Sequence, residues 1–196
     1  MTDDSDVFST AFRFRAYPSE AIAKKARRQI DVHRQIRNHA RKQLCEAPVW
    51  DQPSAYEQHN ALTEWRGKWD RFAEAHSKAS RRTISQLHSD KNTLEELRAK
   101  GYKVGELRWK APREFNSVVY NQSGFELREK SDQTYVWLNK IGEIPIEYHR
   151  DIPSQNQVKE VALKENANGE WTVSFSTTTD LENIPDKPSL STISEE

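Results

Sequence analysis

The order of signals along the chain constrains its fold more than any single motif does: one strand, a long helical block, then an unbroken series of short strands. Residues 8–17 alternate apolar and basic side chains, with Phe12 and Phe14 set against Arg13 and Arg15, the pattern of a strand with one buried face. Pro18 ends that strand and suits the first turn of a helix. Ile22, Ala26, Ile30, His33, Ile36, Ala40 and Leu44 then recur at three- and four-residue spacing, until Pro48 and Pro53 break the pattern. Ser54 with Glu57 three residues on predicts a capping box opening a second helix. Trp65, Trp69 and Phe72 form an aromatic stripe that reads as core. A further helix is predicted over 77–100, with Ile84, Leu87, Leu94 and Leu97 inward and Gly101 as its C-terminal cap. His88-Ser89-Asp90 is a candidate interruption of it. After Tyr102 everything reads as strands: 118–120, 125–127, 134–138, 144–148, 157–163 and 171–177, separated by turn residues such as Ser123-Gly124 and Asn168-Gly169.

The expectation is an α+β protein: a split β-barrel with a helical domain inserted after its first strand. Its parts are a disordered acidic start (1–7), the barrel (8–17 plus 102–179), the helical insertion (18–101) and a disordered acidic tail (180–196).

Composition narrows the class. Of 196 residues, 31% are charged and 35% hydrophobic, but 10% aromatics argue against wholesale disorder. A lone cysteine, Cys45, excludes a disulfide framework or a four-cysteine zinc site and fits a reducing, cytoplasmic setting. No apolar run approaches the roughly 18 residues a membrane span needs, and no signal peptide is expected before Phe12. Net charge is zero, but its distribution is uneven. From Arg13 to Lys42 ten Lys and Arg face two acids, whereas residues 180–196 carry five acids and one lysine. Such a chain can present a positive face despite its neutrality. Lys24, Arg27, Arg28, Arg34, Arg37 and Arg41 lie on the first helix. They are placed either to hold phosphates while the Ile stripe packs inward, or to form salt bridges with the acidic strands, Glu126, Glu129 and Glu143 among them.

Residues 101–115 read Gly-Tyr-Lys-Val-Gly-Glu-Leu-Arg-Trp-Lys-Ala-Pro-Arg-Glu-Phe. This predicts a glycine turn leading into a strand in which Arg108, Lys110 and Arg113 flank an exposed Trp109. Cations beside a flat ring are what holding a phosphate backbone and stacking on a base require. A surface hairpin with one core tryptophan is the plainer alternative. His33 and His39, six apart, point to different helix faces, and the other histidines lack partners at metal spacing, so no metal site is expected. No nucleophile–base pair or paired carboxylates stand out, so no catalytic residue or cofactor is predicted.

Several motifs in order resemble the TnpB (OrfB) family, transposon-encoded proteins related to type V CRISPR effectors. They are Phe12-Arg13-Phe14-Arg15-Ala16-Tyr17-Pro18, the basic segment above, Ser117-Val118-Val119-Tyr120, Leu138-Asn139-Lys140-Ile141-Gly142, His149-Arg150 and Gly169-Glu170-Trp171-Thr172-Val173-Ser174-Phe175. The resemblance implies an oligonucleotide-binding-like wedge barrel split by a helical recognition domain. The implied partners are transposon-end DNA and a guide RNA. By local matching, motif-reading positions fall on Tyr56, Asn60, Ser77 and Arg81, or one residue on at Lys78 and Arg82. Two departures stand out: Arg where family members usually carry Gln, and Val119 where they carry Thr. The family's RuvC-like nuclease domain opens on a Gly-Ile-Asp-x-Gly strand, and no such strand follows Gly169. The expectation is therefore a truncated, transposase-family binding protein that does not cut. The alternatives are a helix-turn-helix-type repressor, a remnant without selected function, or an enzyme whose carboxylates come from sequence beyond Glu196 or another chain.

Overall fold

A computed structural model describes residues 7–121, 123–152 and 157–180. Apart from Val7 and Asp180, which belong to strands, the acidic start and tail expected at 1–7 and 180–196 lie outside those residues. The protein is a mixed α+β structure of helices and two antiparallel sheets. Strand β1 (Val7–Ala16) leads into helices α1 (Glu20–Glu46), α2 (Ala55–Lys68), the short α3 (Asp70–Ala73) and α4 (Ser77–Ala99). Strands β2 (Ser117–Asn121), β3 (Phe125–Lys130), β4 (Gln133–Leu138), β5 (Gly142–Pro145), β6 (Gln157–Glu165) and β7 (Trp171–Asp180) follow.

The alternation in β1 has the consequence that period two demands. Phe12, Phe14 and Ala16 are buried while Arg13 and Arg15 are exposed. The strand pairs antiparallel with β7 in the register Phe12 to Phe175 and Phe14 to Val173. The larger sheet runs β1-β7-β6-β2 and the smaller β3-β4-β5. They meet at one corner, where Ala16 bridges Ile146 and the Tyr17 N–H donates to the Pro145 carbonyl at 2.9 Å. The sheets do not close into a barrel. Among the described residues the outer strand β2 pairs only with β6, and beside it Arg82 of α4 binds Glu160 of β6.

Two hydrophobic cores result. The first joins both sheets to Ala23, Ala26 and Ile30 of α1 and Ala79 of α4, and the three alanines let the helices lie close to the sheet. The second is helical: Val32, Ile36, Ala40 and Leu44 of α1 pack on Leu62 and Trp65 of α2, on Phe72, and on Ile84 and Leu87 of α4. Here the predicted stripe closes around His39, whose ring lies 4.5 Å from Trp65, 4.8 Å from Trp69 and 5.9 Å from Phe72. Each large apolar side chain so buried contributes on the order of 1.5–3 kcal/mol.

Helix punctuation follows local chemistry. Ser54 Oγ accepts from the Glu57 N–H at 3.2 Å, and Glu57 Oε2 accepts from the Ser54 N–H at 2.7 Å. The Ser54 N–H and hydroxyl, both donating to its ionised form, hold the Glu57 carboxyl below its ordinary range. At the end of α4, the Tyr102 N–H donates to the Leu97 carbonyl and the Gly101 N–H to the Arg98 carbonyl, both at 3.0 Å. This is a Schellman motif with Gly101 at φ +83°, where a side chain would be strained. Helix α4 runs unbroken through His88-Ser89-Asp90, because Ile84 and Leu87 pin the preceding turn and Gln86 donates to Asp90 along the helix.

The strand expected after the Gly101 turn is absent. Residues 102–111 form no regular element. Their main chain has no partner strand, and side chains of α1 take that place.

Candidate nucleic-acid interface

Residues 107–110 lie as a strap along the second half of α1. Arg41 Nε donates to the Leu107 carbonyl at 2.8 Å, and Arg37 Nη1 donates to that of Arg108 at 3.0 Å. The Lys110 carbonyl accepts from Asn38 Nδ2 at 2.9 Å and from Arg34 Nη1 at 3.1 Å. Asn38 Oδ1 in turn accepts from the Lys110 N–H at 3.0 Å. Four α1 side chains thus do for the strap what a neighbouring strand would do. With its main chain anchored, the strap leaves Trp109 54% exposed and Arg108 exposed. Arg108, Lys110 and Arg113 have no carboxylate partner among the described residues.

Arg34, Arg37 and Arg41 are therefore engaged within the protein. Arg34 also makes a fork on Asp31 at 2.9 and 2.7 Å. Burial alone would lift the Asp31 carboxyl, but bonds from Arg34 and Gln35 and the charge of Arg71 outweigh it and hold the group below its ordinary value. Arg37, expected on an outer face, is only 6% exposed.

The first half of α1 is bound differently. Arg27 forks onto Glu165 of β6 at 2.9 and 2.7 Å, and Arg28 forks onto Glu74 with two bonds of 2.6 Å. Those bonds raise both guanidinium pKa values further. A salt bridge to a strand carboxylate thus exists at Arg27, while Glu126 and Glu143 serve Arg128 of their own sheet. Lys24 and Arg13 are exposed without a carboxylate partner among the described residues, while Arg15 pairs with Glu170.

On the later helices Tyr56 is 72% exposed, directly inside the capping box, and Asn60 is exposed one turn on. Ser77, Lys78 and Arg81 are exposed in the opening turns of α4. Arg82, the neighbouring candidate for the same matched position, is tied to Glu160 and, at 2.8 Å, to Gln86. One cavity brings Arg37, Arg82 and Lys110 together, and a cleft of about 700 Å³ brings Arg27 and Arg113 together. Neither includes Tyr56, Asn60, Ser77, Lys78 or Arg81.

Two residues escaped the sequence reading. Asn38 grips the strap on both sides, and its signal was an amide in a helix interior, where Asn is disfavoured unless it has a task. Trp50 is 89% exposed in the 3-10 turn Val49–Asp51. A tryptophan between two prolines in a polar stretch was its signal. No group of three or more His, Cys, Asp or Glu side chains placed to hold a metal ion occurs among the described residues. No described helix is long and apolar enough to cross a membrane. Comparison with protein-family models and with curated proteins finds no match for this chain.

Proposed function

We propose that the protein binds a polynucleotide through the strap and the exposed start of α4, and that it holds the strand without cutting it. One observation carries this reading: a tryptophan and cations without carboxylate partners are exposed on a segment whose own backbone is anchored. A fixed aromatic face offers base stacking at low entropic cost, and unpaired cations beside it offer phosphate contacts. In the TnpB-like reading, the two sheets act as an oligonucleotide-binding-like wedge and the helices as the recognition insertion. Transposon-end DNA and a guide RNA are then the partners, with Tyr56 and Arg81 nearest the motif. The arginines of α1 contribute indirectly, by shaping the strap.

Fluorescence anisotropy with single-stranded and duplex DNA and RNA, at several salt concentrations, tests this. Trp109→Ala is expected to cost about 1–3 kcal/mol of binding to single strands, with thermal stability unchanged. Arg108→Ala is expected to lower the salt slope by about one. Indifference to every oligonucleotide at low salt ends the proposal.

A further inference from the structure

The guanidinium of Arg37 is nine-tenths buried and incompletely met. At 6% exposure the side chain is largely withdrawn from bulk solvent, and no Arg37 nitrogen is both sealed from water and without a partner, so its unpaired N–H groups keep contact with the space beside them. Nη1 has the Arg108 carbonyl, but Nη2 reaches Asp90 Oδ2 only at 3.4 Å. Asp90 is a poor counter-ion, since its side chain is 39% exposed and its Oδ1 already accepts from Gln86 at 2.9 Å. The rest of the Arg37 fork has no protein acceptor among the described residues.

That guanidinium lines a cavity of about 190 Å³ between α1, α4, the strap and the outer strand β2. Lys110 lines it too, and its main chain is fixed by Asn38 and Arg34. Ser117 of β2, whose hydroxyl has no bond among the described residues, lines the same space, and Phe115 supplies an apolar wall. Arg82 adds positive potential but is held by Glu160. Asp90 lines the cavity as well, so three cations, one of them paired with Glu160, stand around it against that one carboxylate.

We propose that this cavity is a phosphate site, binding orthophosphate or a terminal phosphomonoester between Arg37, Lys110 and Ser117. Donors arriving from a helix, a strap and a strand suit the several oxygens of a tetrahedral anion better than the two coplanar oxygens of a carboxylate. The volume is below the roughly 300 Å³ at which drug-sized pockets begin, so the phosphate group enters and any attached residue stays outside. The site shares Lys110 with the strap but does not rest on the polynucleotide reading, because orthophosphate alone satisfies it.

Isothermal titration of the full chain with sodium phosphate, against sodium acetate at equal ionic strength, is the test. Phosphate is expected to bind at a single site and acetate roughly tenfold more weakly. Lys110→Ala keeps the main-chain bonds of the strap and is expected to weaken phosphate roughly tenfold, the worth of one charged hydrogen bond, with unchanged melting in phosphate-free buffer. Ser117→Ala gives a second, smaller loss. No heat with phosphate, equal affinity for acetate, or an unaffected Lys110→Ala variant overturns the proposal. Short oligonucleotides with a 5′-phosphate or a 5′-hydroxyl separate the sources. A preference for the phosphorylated end that Lys110→Ala abolishes assigns the terminal phosphate, and equal binding beside intact orthophosphate binding assigns the free ion. Loss of all oligonucleotide binding with orthophosphate retained defeats the polynucleotide reading alone.

Discussion

In the first half of α1, Arg27 and Arg28 meet carboxylates at the surface; in the second, Arg34, Arg37 and Arg41 meet main-chain carbonyls of the strap. The residue type and the helix are the same, and the physics is not. A surface ion pair exchanges solvation for a screened attraction and is worth little. A largely buried guanidinium holding a carbonyl has little water to take its place, so its removal leaves unmet polar groups behind. Charge density alone therefore says little about which arginines remain available to a partner.

The largest effect should come from the buried half. Arg37→Ala is expected to lower unfolding free energy by about 3 kcal/mol, as a charged bond is lost and the Arg108 carbonyl is orphaned. Urea denaturation measures it, and limited proteolysis should show faster cleavage at 102–111. A loss no larger than that of Arg27→Ala breaks the comparison.

An acid-sensitive loss comes next. His33, in the same half of the helix, is fully buried, with Nδ1 3.1 Å from Thr83 Oγ1. That hydroxyl already donates to the Ala79 carbonyl, so Nδ1 carries the proton and donates. Burial, aided by the charge of His76, pushes the His33 pKa down to about 3. The unfolded chain therefore takes up this proton first. The contribution is whole above an ordinary histidine pKa of about 6.5 and drains away as pH falls toward 3. His39, His59, His76 and His88 are lowered in the same direction, burial being the chief cause in each. Urea midpoints should fall between pH 7 and 4, and less steeply in His33→Gln.

The smallest change belongs to the first half. Arg27→Ala is expected to cost about 0.5–1 kcal/mol at low ionic strength and less in high salt. Melting temperatures across a salt series sharpen the contrast, since Arg37→Ala should lose as much at high salt as at low.

Much of this was written locally in the chain. The capping box at Ser54, the Gly101 cap, the aromatic stripe of Trp65, Trp69 and Phe72, and the alternation in β1 each depend on neighbours within a few residues. What was not legible depends on distance in sequence. Arg27 finds Glu165 at 138 residues' distance, and Arg82 finds Glu160 at 78. Residues 102–111 carry strand-like composition, but a strand needs an adjacent edge, and the fold supplies arginines and Asn38 instead. Arg37 sits beside Ile36 on the inward face, where an apolar residue would be expected. A buried cation is readable only once the carbonyl it serves has been located. The exposed candidates Trp109, Tyr56 and Arg81 were singled out from the sequence, and their exposure leaves them available, whatever they contact.

Helix α1 belongs to both cores: Ala23, Ala26 and Ile30 lie in one, and Val32, Ile36, Ala40 and Leu44 in the other. Its 27 residues make a rod of about 40 Å at the usual rise of an α-helix. Such a rod acts as a common axle, so the sheets cannot swing against the helices without levering its far end. Accommodation of a guest is therefore easier through side chains and loops than through a swing of one core against the other.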